Sequence, residues 1–218
     1  MHVFDYIIFD FDGTIADTRR GVFDSITYAL TSYCYEVPDE NILNSFLGPP
    51  LFESFQKTTG CSDEMAEKLT AKYRELYTDN AMYRLHLFDG IEEMLKEMKK
   101  NGIKTAIASS KPEKFFSKLL EHLGITKYFD VVCGASLGDI HNTKQQIIAR
   151  AMEILGAERE KTLMVGDRVF DIDGAKENKI KSAGVVFGFD YREELENAGA
   201  DFIVTTTKQL LEEVLLCQ

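Results

Sequence analysis

Several common signals are missing from this sequence, and each absence argues against a class of protein. No stretch approaches the length of a transmembrane helix, and Asp5 precedes the first long apolar stretch, so we expect neither membrane insertion nor secretion. There is no Cys-x-x-Cys pair and no histidine spaced for zinc. We therefore interpret the four cysteines as reduced thiols of a cytoplasmic protein. Internal repeats and low-complexity segments are also absent.

The chain also lacks an excess of positive charge. It has 36 acidic against 25 basic residues, which gives a formal net charge of −11. A nucleic-acid backbone or an anionic membrane surface would be repelled at long range by such a chain. We therefore expect no nucleic-acid partner and no membrane partner, and an anionic substrate would need local positive charge.

What is present is enough apolar sequence for a real core. The 218 residues are 44% apolar and 11% aromatic, which suits one large domain or two small ones. From Asp89 onwards, short apolar strands alternate with helices, a pattern typical of a parallel sheet covered on both faces. Strands are expected near 105–108, 131–133, 163–165, 183–187 and 202–204, and helices near 91–98, after 112, and near 143–155, 192–197 and 208–216.

Residues 16–87 carry helical patterning instead, interrupted at 37–39, 48–50 and Gly60. The clearest helix starts near Asp63. Its apolar stripe consists of Met65, Leu69, Tyr73 and either Leu76 or Tyr77. This segment is interpreted as an inserted helical unit.

The first strand ends in an unusual way. The apolar run 6–9 stops at Asp10, and Asp12 and Gly13 follow. If the extended backbone continues, both carboxylates project from one face and repel each other unless a cation or a proton compensates them. We expect a divalent metal there. A calcium loop does not fit, because the glycine is at position four rather than six and position twelve is Gly21.

Three polar residues directly follow predicted parallel strands: Asp10, Ser109 and Asp167. In doubly wound sheets the ligand site lies outside the carboxyl ends of the strands. We therefore expect these three side chains to converge in one crevice.

These residues belong to four segments that resemble a known family. Residues 10–14 (Asp-Phe-Asp-Gly-Thr), Ser109, Lys144 and residues 166–171 match, in order and rough spacing, the signature motifs of the haloacid dehalogenase superfamily of phosphohydrolases. Residues 46–51 resemble the cap loop of its phosphoglycolate-phosphatase-like branch. The resemblance implies an α/β fold, with a doubly wound, Rossmann-like parallel-sheet core at 1–16 and 88–218 and a helical cap domain inserted at 17–87.

The resemblance also implies catalytic roles. Asp10 would attack phosphorus and become an aspartyl phosphate, and Asp12 would protonate the departing alkoxide and then deprotonate water. Ser109 would bind the phosphate, and Lys144 would add the positive charge that its oxygens need. Because Asp12 is present, phosphatase chemistry is favoured over dehalogenation, whose leaving group needs no proton.

The implied cofactor is Mg²⁺. Its ligands would be the Asp10 side chain, the Asp12 backbone carbonyl and the Asp167 side chain, completed by water and substrate phosphate. Asp171 would support these ligands from behind, although an acid in that place also suits the start of a helix.

Four further residues are candidate substrate contacts: Ser110, Lys111, Gly48 and Arg168. Residues 110–113 have the form of a helix-capping box, which is the preferred interpretation of Ser110. Arg168 either adds charge near the site or covers the surface. A capping box of Thr143 and Gln146 would place Lys144 in a first helical turn, where a cation opposes the helix dipole by roughly 0.3–1 kcal/mol. That cost favours a functional lysine.

Parts of the sequence also suggest other functions. Residues 134–138 fit the Gly-x-Ser-x-Gly elbow of serine esterases, but the only later histidine, His141, is too close to Ser136 for the usual triad. A sugar-phosphate mutase and a non-catalytic phosphate-ligand-binding protein stay open. The expected partner is a small phosphorylated metabolite, with phosphoglycolate, nucleoside monophosphates, pyrophosphate and sugar phosphates all open. The expected assembly is a monomer or a weak homodimer.

Overall fold

A computed structural model describes residues 3–135, 143–189 and 191–215, with side chains described as far as residue 212. The strands are β1 (Tyr6–Phe9), β2 (Ala16–Asp17), β3 (His86–Leu87), β4 (Lys104–Pro112), β5 (Val131–Ala135), β6 (Thr162–Gly166), β7 (Lys181–Val185) and β8 (Phe202–Val204). The helices are α1 (Arg19–Ser32), α2 (Glu40–Asn44), α3 (Leu51–Thr59), α4 (Asp63–Asp79), α5 (Ile91–Lys100), α6 (Phe116–His122), α7 (Lys144–Leu155), α8 (Val169–Asn178), α9 (Arg192–Asn197) and α10 (Thr207–Gln209), the last continued by a π-helical stretch at Leu210–Leu215.

Six strands form one parallel sheet in the order β5-β4-β1-β6-β7-β8. Strand β1 lies between β4 and β6, and its last residue, Phe9, is in register with Ile107 on one side and Val165 on the other. β2 and β3 form a separate two-stranded sheet. The predicted α/β fold with a doubly wound parallel sheet is confirmed.

The strands are buried because helices cover them. Ile7, Ile8 and Phe9 are fully shielded from solvent, which explains why an uninterrupted apolar run forms this strand. Helix α7 contributes Ile147 and Ile148 to a core cluster that also contains Ile8. This packing fixes the start of α7 relative to the sheet.

The chain divides into two compact units. One, the sheet unit, runs up to Ala16 and resumes at Leu87, and the other, the helical unit, is Asp17–His86. The helical unit contains α1 to α4. In α4 the buried stripe includes Leu69, Tyr73 and Tyr77, so Tyr77 rather than Leu76 completes the predicted pattern.

Three of the four cysteines lie in the described part of the chain. Cys34, Cys61 and Cys133 are free thiols, whereas Cys217 lies outside the described residues. Among the described helices, none has the length and apolar character needed to cross a bilayer.

One local prediction is wrong. Residues 110–113 do not cap a helix, because β4 continues to Pro112 and α6 begins only at Phe116, after a 3₁₀ turn at Glu113–Phe115. Ser110 is an exposed residue of β4. Pairing of β4 with β5 as far as Pro112 and Ala135 extends the strand past Ser109, where the apolar pattern ends. Ser136 and His141 of the rejected esterase motif, and the expected helix end at 216, lie outside the described residues.

Candidate active site

The carboxyl ends of three neighbouring strands position the candidate site. Asp10 follows β1 directly, and its backbone N–H donates to the carbonyl of Val165 in β6 at 2.9 Å. Asp167 follows β6, and Ser109 lies buried in β4, on the other side of β1. The structure therefore brings these three residues to one edge of the sheet, where the sequence predicted a crevice.

Lys144 links the end of β1 to the start of α8. Its Nζ lies 2.9 Å from Asp10 Oδ1 and 2.8 Å from Asp171 Oδ1, and only 7% of the lysine side chain is exposed. Burial lowers the pKa of Lys144, but the Asp10 and Asp171 carboxylates outweigh it and hold that pKa above its usual range. Lys144 therefore stays a cation between two acids.

The start of α7 explains how Lys144 reaches this position. The predicted capping box of Thr143 and Gln146 is present, with the Gln146 side chain accepting the Thr143 backbone N–H at 3.1 Å. The cap places Lys144 in the first turn of α7. The two carboxylates offset the unfavourable interaction between this cation and the helix dipole.

Asp167 is a buried acid that lies close to two other carboxylates. It is 1% exposed, and its Oδ1 accepts a hydrogen bond from Thr14 Oγ1 at 3.0 Å. Burial, followed by the nearby Asp171 and Asp10 carboxylates, raises the pKa of Asp167 well above its usual range. The site thus concentrates negative charge that its own cations leave partly uncompensated.

The acids form a group that suits a hard cation. Carboxylate oxygens of Asp10, Asp167 and Asp171 lie within 4.8 Å of one another. Mg²⁺ prefers oxygen ligands, and a divalent cation would offset both the burial and the carboxylate repulsion that raise the pKa of Asp167. The donor set therefore fits Mg²⁺. Asp171 also belongs to this group and is neutralised by Lys144, and its role behind the ligands stays a prediction.

Asp12 has its own cation. Lys111 Nζ lies 2.9 Å from Oδ1 and 2.7 Å from Oδ2 of Asp12, and only 7% of the lysine side chain is exposed. The Lys111 backbone N–H points to Ser109 Oγ at 3.4 Å. A second pair of lysine and aspartate therefore lies beside the predicted phosphate ligand.

Glycines make room for these acids. Gly13 has φ +82°, and a Cβ on it would lie 2.2 Å from Asp167 Oδ2. A Cβ on Gly166 would lie 2.1 Å from Asp171 Cγ. Neither this role of the glycines nor the Thr14 hydrogen bond is predicted by the sequence pattern, although Gly13, Thr14 and Gly166 all lie inside the four motifs.

Arg168 and Gly48 are two further residues that the sequence predicts to contact substrate. Arg168 Nε donates to Glu194 Oε1 at 2.9 Å, and its guanidinium lies 4.5 Å from the centre of the Tyr191 ring. Its charge is thus engaged with α9. Gly48 is an exposed residue of the helical unit with φ +105°. Substrate contact by Arg168, Gly48, Lys111 or Ser110 stays a prediction.

Comparisons with known proteins show what this chain is similar to. The model of the haloacid dehalogenase-like hydrolase family matches residues 7–185. A 5'-nucleotidase from Pseudomonas aeruginosa is 33% identical over 189 residues, which are 87% of this chain and 86% of the relative. Tyrosine-protein kinase PtkA from Mycobacterium tuberculosis is 35% identical over 201 residues, which are 92% of this chain and 66% of the relative.

A solved structure resembles the whole chain. The crystal structure described as that of a predicted phosphatase from Clostridium acetobutylicum has a TM-score of 0.90 and 37% identity, and the match covers 97% of this chain and 98% of that one. The family match spans all four motifs. The chain therefore belongs to the haloacid dehalogenase-like hydrolase family.

Proposed function

We propose that the protein is a magnesium-dependent phosphatase that hydrolyses a small phosphomonoester through an aspartyl phosphate on Asp10. The observation that carries the proposal is the bridge made by Lys144 between Asp10 and Asp171, at 2.9 and 2.8 Å, beside the buried Asp167. A cation held against the carboxylate of Asp10 orients it and moderates its repulsion of an anionic substrate.

In the first half-reaction, an Asp10 carboxylate oxygen forms a bond to phosphorus while the bond from phosphorus to the ester oxygen breaks. Asp12 gives its proton to the departing alkoxide, which leaves as an alcohol. The hydroxyl of Ser109 and the ammonium of Lys144 supply the donors for the non-bridging phosphoryl oxygens. Asp12 then carries the negative charge that lets it act as a base.

In the second half-reaction, Asp12 takes a proton from water as the water oxygen bonds to phosphorus. The bond between phosphorus and the Asp10 oxygen breaks, which releases inorganic phosphate and restores the Asp10 carboxylate. Splitting hydrolysis into two steps lets Asp12 donate one proton to the leaving alkoxide and later recover a different proton from water.

The metal would be held by Asp10, the Asp12 backbone carbonyl and Asp167. When bound, Mg²⁺ supplies positive charge that offsets the repulsion between the anionic substrate and the carboxylates. Asp171 is neutralised by Lys144 and accepts the backbone N–H of Arg168 at 3.1 Å, which fits a supporting role.

The substrate class is a small phosphomonoester of the phosphoglycolate or nucleoside monophosphate kind. The 5'-nucleotidase relative supports the second of these, and the resemblance of residues 46–51 to a phosphoglycolate-phosphatase cap loop supports the first. The helical unit would act as the cap that selects among them. The proposed assembly is a monomer or a weak homodimer, and the proposed location is the cytoplasm.

The kinase relative favours a second candidate, transfer of a phosphoryl group from ATP to a protein tyrosine. Here the tyrosine oxygen would form a bond to the γ-phosphorus of ATP while the bond from that phosphorus to ADP breaks, and the hydroxyl proton would pass to a base. Incubation with ATP and a tyrosine-containing peptide separates the two candidates, because only the kinase yields phosphotyrosine.

The experiment that tests the proposed function measures phosphate release from a panel of phosphomonoesters and pyrophosphate, with and without Mg²⁺. The control is Asp10→Asn, which keeps the side-chain size and removes the anionic nucleophile. Metal-dependent release that vanishes in this variant supports the proposal. Phosphate release that persists in Asp10→Asn overturns the assignment of Asp10 as the nucleophile. If the wild-type protein releases phosphate from none of the compounds, a mutase or a phosphate-ligand-binding protein is favoured instead.

A further inference from the structure

Glu194, in the first turn of α9, contacts the segment that carries Asp167. Its Oε1 accepts the backbone N–H of Val169 at 2.8 Å and the Arg168 Nε at 2.9 Å. Val169 is the first residue of α8, and Arg168 directly follows Asp167. The Glu194 carboxylate therefore contacts the Arg168 side chain and the Val169 backbone, which directly follow the proposed metal ligand Asp167.

The Arg168 guanidinium is fixed on the α9 side by more than this ion pair. Its central carbon lies 4.5 Å from the centre of the Tyr191 ring, a distance typical of a cation–π contact. Only 17% of the Arg168 side chain and 30% of the Glu194 side chain are exposed. Solvent therefore screens this arrangement less than a surface ion pair.

Arg168 is the residue directly after Asp167 in the chain, and its charge acts on the Asp167 carboxyl. Burial and then the neighbouring carboxylates raise the pKa of Asp167, and the Arg168 charge opposes them. An arginine side chain is long, always charged and well suited to pairing with a carboxylate. Released from Glu194, the guanidinium would compete with a metal ion for Asp167.

We propose that Glu194 is a positioning residue that holds the Arg168 guanidinium on α9 and thereby keeps Asp167 available to a divalent cation. The inference rests on the metal site of the proposed function. This role differs from the substrate contact that the sequence predicts for Arg168, because here the guanidinium is held on α9 and does not enter the site.

The test is Mg²⁺ binding to the intact protein, measured by isothermal titration calorimetry without substrate. Glu194→Ala should raise the Mg²⁺ dissociation constant by about 10–100-fold, the range typical of groups that support metal ligands indirectly. The double variant Arg168→Ala/Glu194→Ala should restore it to within about threefold of the wild type, because the competing cation is gone. Glu193→Ala, at an exposed neighbour on α9, is the matched control and should leave binding unchanged.

The double variant separates the proposal from a merely structural role. In both Glu194→Ala and the double variant the Val169 N–H loses its acceptor, so a loss caused by a weakened helix start would persist when Arg168 is also removed. Unchanged binding in Glu194→Ala, or no recovery in the double variant, overturns the inference. If Glu194→Ala does not fold, Glu194→Gln, which keeps an acceptor for Val169, takes its place with the same expected order of affinities.

Failure of the proposed function gives a different result. If wild-type protein binds no Mg²⁺, or binds it equally well after Asp167→Asn, the metal site itself is wrong. If wild-type binding depends on Asp167 but not on Glu194, only the present inference is wrong.

Discussion

The ammonium of Lys111 contacts both carboxylate oxygens of Asp12, at 2.9 and 2.7 Å, although the two residues are 99 positions apart in the chain. Asp12 is the proposed proton donor to the leaving group. Replacing it with asparagine should lower kcat on an alkyl phosphate by about 10²–10⁴-fold, the usual contribution of a positioned acid. An activated aryl phosphate needs less protonation and should lose much less. Equal losses on the two substrates would contradict the acid role.

If Lys111 acts by orienting the Asp12 carboxylate, replacing Lys111 should lower kcat only while Asp12 is present. We expect Lys111→Met to lower kcat on an alkyl phosphate by about 10–100-fold, the cost of a misplaced catalytic group. In an Asp12→Asn background the same change should have little further effect, which a double-mutant cycle measures directly. Independent, multiplicative losses would instead assign Lys111 a separate role, such as substrate contact.

Lys144 should also stabilise the fold. Its removal leaves the carboxylates of Asp10 and Asp171 without their cation, and breaking a buried pair typically costs about 3–5 kcal/mol. We expect Lys144→Met to lower the free energy of unfolding by that amount in urea denaturation without metal. Adding Asp171→Asn should recover part of the loss. Lys96→Met, at an exposed position of α5, is the control and should change stability by less than about 0.5 kcal/mol.

Gly13 tests the close approach of the backbone to Asp167. Gly13→Ala adds a Cβ where only 2.2 Å separates it from Asp167 Oδ2, so the carboxylate must move. We expect phosphatase activity to fall by more than about 100-fold through displacement of a metal ligand. Gly156→Ala is matched in backbone strain, with φ +64° and no atom within 4 Å. It should cost only about 1–2 kcal/mol of stability and leave kcat unchanged. Similar activity in the two variants would contradict the crowding argument.

Asp201 gives a prediction of pH-dependent stability. Burial raises its pKa, but hydrogen bonds from Lys181 and Ser182 outweigh burial and leave the pKa below its usual value of 3.8. A carboxyl with a lowered pKa in the folded state stabilises the fold at pH values above its unfolded pKa and loses this effect as the pH falls. Asp201→Asn should therefore lower the free energy of unfolding by about 1 kcal/mol at pH 7. The difference should shrink below pH 4, and a constant difference down to pH 2 would contradict it.

The sequence predicted the strand ends of the site because they depend on local pattern. Apolar runs that stop at Asp10 and at Asp167 identify buried parallel strands, and such strands bring their carboxyl ends to one edge. The capping of α7 by Thr143 and Gln146 follows from a similarly local signal. The acids at these strand ends could therefore be named from the sequence alone.

The rest depends on contacts that sequence does not encode locally. The pairing of Lys111 with Asp12 and the hold of Glu194 on Arg168 join residues far apart in the chain. The capping box at 110–113 was wrong because pairing with β5 carries β4 past Ser109, and this tertiary contact overrides a short-range motif. Long-range partners of charged side chains were therefore the part that only the structure supplied.

The most direct test of the central claim is to identify the residue that becomes phosphorylated. A single turnover with excess enzyme, quenched in acid and digested, should show by mass spectrometry one phosphoryl group on the peptide that contains Asp10. The adduct should form only with Mg²⁺ present and should be absent from Asp10→Asn. Phosphate release without any adduct on Asp10, or an adduct on another residue, would contradict the proposed mechanism.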